Sequence, residues 1–191
     1  DKAEALSYFG LNDSLPVILV VGGSLGTRTL NNMMRSWLMT LGGEAPVQVI
    51  WQTGRYYEAE MKQFLEHYPV KNIWQGAFID RMDYAYAVAD VVISRSGACT
   101  VSELCLAGKP TLFVPSPNVA EDHQTKNAKA LVDKHAARMV ADSEAVDCAM
   151  STALRMISDS GELTKLSKNI SKLAIADSAE RVAREALKYC E

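Results

Sequence analysis

The sequence has no apolar run approaching the roughly 20 residues that cross a bilayer as a helix, no C-x-x-C pair, no D-x-D, no internal repeat and no linker rich in Pro, Gly or Ser. Each absence excludes something. Without a long apolar run there is no sequence case for a spanning helix, and no signal peptide is recognisable; a peripheral membrane role for a larger parent protein is compatible with both. The four cysteines (Cys99, Cys105, Cys148 and Cys190) have no histidine at ligand spacing, so no zinc site is expected, and free thiols in a reducing cytoplasm are the simplest reading. Without D-x-D, a metal-bridged diphosphate has no obvious ligand, and no metal or other cofactor is expected. Lys and Arg number 20 against 23 Asp and Glu, a net charge of −3, which gives no electrostatic reason to expect nucleic acid as a partner. The opening DKAEAL lacks an initiator methionine, so a fragment or processed product is expected.

What is present is ordinary globular material: 191 residues, 48% hydrophobic, enough for a substantial core. Short β-rich runs fall at Val17–Val21, Val47–Trp51, Asn72–Trp74 with its flanks, Val91–Ile93, Thr111–Val114 and Ala137–Val140. Helix-like stretches lie near Thr29–Leu41, Tyr56–His67, Arg81–Ala89, Val101–Ala107 and Gln124–Lys134. A first helix, about Lys2–Phe9, ends at Gly10, a natural residue to follow a helix end. Strands alternating with helices predict an α/β fold, a Rossmann-like doubly wound parallel sheet of about six strands. From Ser143 onward only helices follow, near Ser143–Ile157, Gly161–Leu173 and Ser178–Tyr189. One domain over residues 1–191 is predicted. Ligands of such sheets bind outside the carboxyl ends of the strands, so site residues are expected in the loops Gly22–Gly26, Gln52–Gly54, Gln75–Asp80, Ser94–Ala98 and Pro115–Asp122.

Gly22-Gly23-Ser24-Leu25-Gly26 lies between a strand and a helix. Such glycines let the backbone approach a phosphate, whose charge suits free N–H groups at a helix start; the same glycines also serve a plain tight turn. The loop is neither G-x-G-x-x-G nor a P-loop. It does fit G-x-S-x-G, the nucleophile elbow of α/β-hydrolases. Against that reading, the elbow would follow the first strand, and the triad histidine would have to come from His67, His123 or His135. Thr100-Val-Ser-Glu103 fits a capping box, the first reading on the residues alone. The loop Ser96-Gly97 before it leaves the end of a buried strand, and Glu103 could instead accept from the two hydroxyls of a ribose. Ala120–Asn127 is dense in side chains that bind sugar hydroxyls, above all Asp122, His123, Gln124 and Asn127, although Asp122 could simply cap the next helix. Trp37, Trp51 and Trp74 are expected in or beside the core.

Three stretches, VVGGSLGTRTLN, GAFIDRMDYAYAVADVVISRSGACTVSELCLAGKP and AEDHQTKNA, resemble in their order the MurG family, the UDP-N-acetylglucosamine:lipid-linked muramoyl-pentapeptide N-acetylglucosaminyltransferases of peptidoglycan synthesis. The resemblance spans nearly the whole chain. It implies the carboxyl-terminal, donor-binding half of a two-domain GT-B glycosyltransferase. Ser24, with Gly22, Gly23 and Gly26, would face the diphosphate of UDP-GlcNAc, and the backbone of Ile79, beside Phe78, would read the uracil edge. Arg95 would be a supporting charge at the strand end, Cys99 and Thr100 would line the phosphate end of the helix, and Glu103 would hold the ribose. Gln124, and more weakly Thr125, would contact the sugar. Cys99 stands where some relatives carry a larger apolar residue, and Thr125 where some carry a second glutamine.

The resemblance further implies transfer of GlcNAc to the C4 hydroxyl of lipid I, with inversion, giving lipid II and UDP at the cytoplasmic face of the bacterial inner membrane. The catalytic base, the acceptor site and the membrane-facing patch belong to an amino-terminal half this sequence does not include, so no catalytic residue is assigned. Alone, the chain is expected to bind nucleotide sugar without efficient turnover. The alternatives are a free-standing, non-catalytic subunit of a split transferase and, more distantly, a sugar epimerase of related fold.

Overall fold

The structure, a computed structural model, describes residues 1–189. Its centre is a six-stranded sheet of β1 (Val17–Val21), β2 (Glu44–Gln52), β3 (Lys71–Gly76), β4 (Val91–Ser94), β5 (Thr111–Phe113) and β6 (Arg138–Met139), in the order β3-β2-β1-β4-β5-β6. Every neighbouring pair is parallel. The apolar runs become strands because parallel strands are covered on both faces and need side chains that lose water in both directions.

Consecutive residues serve opposite layers. Ile18, Val20, Val49, Trp51 and Ile93 pack with Leu30, Met33 and Met34 of α2 (Arg28–Leu38), Met61 and Phe64 of α3 (Glu58–His67), and Ala145, Ala149 and Ala153 of α7 (Asp142–Ser158). Leu19, Ile50, Val92 and Phe113 face the other way. They meet Ala5 and Leu6 of α1 (Lys2–Tyr8), Ala85 and Val88 of α4 (Met82–Val88), Leu104 of α5 (Ala98–Ala107), and Ala128 and Leu131 of α6 (His123–Val132). The helix α8 (Ser160–Ser171) gives Leu166 to the first layer and Ile170 to the second. Trp51 is wholly buried, and Trp37 and Trp74 pack against the core, as expected.

Gly10 has φ +64°, and the bonds Gly10 N–H to Ser7 O and Leu11 N–H to Leu6 O close α1 as the sequence predicts. Several boundaries differ: β2 begins at Glu44 rather than Val47, and α2 ends at Leu38 rather than Leu41. The edge strand β6 is only two residues long, with a single neighbour, β5, to pair with. Helix α5 begins at Ala98, three residues before the expected Val101. The last helix, α9 (Ser178–Leu187), buries none of its described residues. No described helix is long and apolar enough to cross a membrane.

Candidate functional site

In this strand order the chain runs outward in both directions from the β1–β4 pair, where Val21 lies opposite Ser94. The loops leaving these two strands part here, and the crevice between them is where open α/β sheets take ligands. The loop after β1 is a tight turn: Gly26 N–H donates to Gly23 O at 2.9 Å, leaving Ser24 and Leu25 exposed at its tip. Thr27 Oγ1 donates to Gly22 O at 2.8 Å instead of capping α2, so the first N–H groups of α2 have no side-chain acceptor.

The loop after β4 opens α5 the same way. Gly97 is the residue before the helix, with no side-chain cap, and the first helical bond is Val101 N–H to Gly97 O. The N–H groups of Ala98, Cys99 and Thr100 therefore precede the hydrogen-bonded ladder. The capping box at Thr100 and Glu103 does not form, because both residues lie inside the helix. Glu103 instead accepts from Tyr86 Oη of α4 at 3.1 Å, on the wall of a groove of about 560 Å³ between α4 and α5. Burial, and then the negative charge of Glu103, push the Tyr86 phenol well above its ordinary pKa.

Ser96 is fully buried and is tied to the start of α6 from several sides. Its Oγ donates to Gln124 O at 2.8 Å and its carbonyl accepts from Asn127 Nδ2 at 3.0 Å. Gln124 Oε1 accepts from the N–H groups of Ser96 (3.3 Å) and Ser116 (3.0 Å), which joins the loops after β4 and β5. That leaves the Gln124 amide N–H donors without a protein acceptor among the described residues. Just before it, Glu121 (φ +53°) and Asp122 (φ +52°) both sit in the left-handed region, an uncommon pair for residues with side chains. Asp122 does not cap α6 with its carboxylate, which accepts from Thr125 Oγ1 at 2.5 Å. His123 is the first residue of α6.

The loop after β3 buries the Ile79 side chain (3% exposed) and exposes Phe78 (50%). Neither the N–H nor the C=O of Ile79 has a hydrogen-bond partner among the described residues. Beyond it Arg81 pairs with Asp83 through two bonds (2.9 and 2.6 Å) and lies 3.4 Å over the Tyr84 ring, fixing the entry to α4. The same bonds hold Asp83 below its usual carboxylate range.

Arg95 is placed at the strand end, with its guanidinium engaged by the protein itself. Its Nη1 donates to Val114 O (2.8 Å) and to Asp142 Oδ1 (2.5 Å), and Asp142 also accepts from Thr29 Oγ1 (3.1 Å). The guanidinium thus ties the ends of β4 and β5 to the start of α7, and the Asp142 carboxylate extends the link to the start of α2. The fold thus gathers Gly22, Gly23, Ser24 and Gly26 with Ser96, Gly97, Cys99 and Thr100 at the switch point, and Gln124 joins them through Ser96. Tyr86 lies outside the loops expected to hold the site, and Gln52, which closes the buried strand β2, was expected there only as the first residue of the loop Gln52–Gly54, with no role of its own. The hydrolase elbow loses two of its three candidate histidines, leaving His123, at the start of α6, on the Ser24 side. His135 precedes β6, at the amino end of the sheet opposite Ser24, and His67 is bonded through Nδ1 to Gln63 O within α3. No cluster of three or more His, Cys, Asp or Glu forms among the described residues, and Cys190 lies outside them.

Comparison with known proteins gives a consistent answer. The chain is 53% identical over 190 residues to the UDP-N-acetylglucosamine–N-acetylmuramyl-(pentapeptide) pyrophosphoryl-undecaprenol N-acetylglucosamine transferase of Parabacteroides distasonis, covering 100% of this chain and 51% of that protein. The transferase of the same name from Porphyromonas gingivalis is 47% identical, with 100% and 50% covered. The chain therefore spans about half the length of the curated relatives it matches. Among solved structures, Acinetobacter baumannii MurG superposes with a TM-score of 0.77 at 30% identity, covering 96% of this chain and 53% of that one. Residues 17–182 match the glycosyltransferase family 28 C-terminal domain, and the chain belongs to that family.

Proposed function

We propose that this chain is the UDP-GlcNAc-binding half of an inverting N-acetylglucosaminyltransferase that converts lipid I to lipid II in peptidoglycan synthesis. The observation that carries the reading is the pair of helix starts at the β1–β4 switch point, α2 and α5, neither capped by a side chain. Each helix start carries roughly half a positive charge, so together they suit a diphosphate without a metal ion. Ser24 with Gly22, Gly23 and Gly26 on one side, and Gly97, Cys99 and Thr100 on the other, would hold the two phosphates. The free N–H and C=O of Ile79 match the donor and acceptor edge of uracil, with Phe78 beside them. Glu103, oriented by Tyr86, would accept from the ribose hydroxyls. The amide donors of Gln124 would meet the sugar, with Asp122, His123 and Thr125 around it and Ser96 holding Gln124 in place. Arg95 would support the site from behind through Asp142.

In transfer, a base on the amino-terminal half would activate the acceptor hydroxyl for direct displacement at the anomeric carbon. The two helix starts would stabilise the charge that develops on the departing UDP. Acceptor and membrane contact, at the cytoplasmic face of the inner membrane, would be made by that other half. Titration calorimetry of this chain with UDP-GlcNAc and UDP tests the reading: saturable binding is expected, with little turnover. No heat at millimolar ligand, with the protein shown to be folded, overturns it.

A further inference from the structure

We propose that Gln52 is a positioning residue that holds the phosphate loop and the base loop of the nucleotide site at a fixed separation. The proposal rests on the nucleotide reading above. Gln52 closes β2, the strand between β1 and β3, and is 4% exposed. Its Nε2 donates to Gly23 O at 2.9 Å and to Ala77 O at 3.3 Å. The first carbonyl belongs to the loop after β1 and the second to the loop after β3, next to Phe78 and Ile79.

The orientation of the amide follows from its surroundings. Turned over, it would set Oε1 against two carbonyl oxygens, which repel it; the nitrogen must face them. In this orientation Oε1 is buried and has no hydrogen-bond partner among the described residues. A buried acceptor left empty is unfavourable, so the side chain is placed for its two N–H groups rather than for its own satisfaction. The backbone of the β2–α3 loop supports the same bridge: Gly54 N–H donates to Ala77 O at 3.1 Å and Arg55 N–H to Ser24 O at 3.3 Å.

The separation matters because a nucleoside diphosphate carries its base and its phosphates at a distance fixed by covalent bonds. A protein that contacts both ends gains the full benefit of the second contact only if the two loops already stand at that distance. Gln52 is the side chain that touches both. Its loss should therefore weaken a ligand that spans the loops far more than either end alone.

The variants are Gln52→Met, which keeps length and burial but has no donor, and Gln52→Asn, a shorter amide that keeps the donor and serves if the first does not fold. Amide hydrogen exchange of the free protein is read on two segments with α7 as the internal reference: one at Gly26, whose N–H donates to Gly23 O, and one at Gly54 and Arg55, whose N–H groups donate to Ala77 O and Ser24 O. Exchange should quicken in both segments by about tenfold and stay unchanged in α7. Acceleration in one segment only, or in neither, overturns the proposal. By calorimetry, UDP should bind about tenfold more weakly to the variant, while uridine and inorganic pyrophosphate each change by less than about threefold. Equal weakening of all three probes, or an unchanged UDP affinity, also overturns it. If wild-type protein fails to bind UDP, the nucleotide reading falls by itself, and the exchange measurement still decides whether Gln52 couples the two loops.

Discussion

Gly26 and Gly54 meet backbone to backbone: a Cβ built on Gly54 would stand 2.1 Å from Gly26 Cα, and one on Gly26 would stand 2.1 Å from Thr53 O. Both residues have positive φ, +83° and +80°, so each position is closed to a side chain twice over, by space and by backbone conformation. The contact lets the loop after β1 lie flat on the loop after β2. Gly54→Ala should destabilise the chain by about 2–4 kcal/mol, since the obstructing atoms are backbone and cannot swing aside. Chemical denaturation measures it; a loss below about 1 kcal/mol would mean the two loops can separate cheaply.

The Tyr86–Glu103 hydrogen bond gives a test of the carboxylate's role. If Glu103 accepts from ribose, Glu103→Ala should weaken UDP about tenfold to a hundredfold, the worth of hydrogen bonds to a charged acceptor. Its effect on stability should stay below the roughly 1 kcal/mol of a lost helix cap, because Glu103 does not cap α5. Tyr86→Phe should weaken UDP by about threefold to tenfold and blunt discrimination against 2′-deoxy-UDP, because the carboxylate loses the bond that orients it. The pH dependence follows from the raised phenol pKa. The folded state keeps this proton to higher pH than the unfolded chain, so the contribution is complete below the ordinary tyrosine value of 10.0 and is lost as pH rises beyond it. The stability difference between wild type and Tyr86→Phe should therefore be flat through neutral pH and shift against the wild type above about pH 10.

The inner strands β1, β2, β4 and β5 were readable because a parallel strand covered on both faces is written largely as an apolar run, such as VILVV, that needs no partner to be recognised, whereas the edge strands β3 (KNIWQG) and β6 (RM) carry less of it. The start of α5 was not readable. Gly97, Ala98 and Cys99 carry none of the hydroxyl or carboxylate side chains that usually mark a helix start. Thr100 and Glu103 imitated that signal three residues late, through their spacing alone. Tyr86 escaped for a different reason, as did the contacts of Gln52, whose loop the strand end did announce: their partners lie 17 to 29 residues away, across elements, and no local pattern encodes such a contact. The left-handed pair Glu121 and Asp122 has no glycine to announce it. The loops holding the site could be named from the strand ends, but which side chains there are already tied to the protein depended on packing, as the Arg95–Asp142 pair shows.

Arg95 separates support from contact. Its guanidinium and the Asp142 carboxylate are largely shielded, at 15% and 21% side-chain exposure, so removing either leaves a partly desolvated charge behind. Arg95→Met and Asp142→Asn should each cost about 1–3 kcal/mol, and the double variant less than their sum. In folded protein, UDP affinity should move by less than about threefold for either variant, well under the effect of Glu103→Ala. A larger loss of binding at Arg95 than at Asp142 would show that the guanidinium itself reaches the nucleotide.

Cys99 offers a chemical footprint of the same crevice without altering the sequence. It is exposed at the start of α5, whereas Cys105 is buried on the same helix and Cys148 is half-buried in α7. Burial also pushes the Cys105 thiol pKa upward, which lowers its thiolate fraction and slows it further. Iodoacetamide should therefore modify Cys99 ahead of Cys105, as followed by peptide mass spectrometry. A diphosphate held at the N–H groups of Ala98, Cys99 and Thr100 would stand over that sulfur, so saturating UDP should slow the reaction at Cys99 by about tenfold and leave Cys148 unchanged. Uridine alone should protect far less, because only the phosphates reach the helix start. Equal protection by uridine would move the phosphates away from α5 and leave the α2 start, at Ser24, as their site.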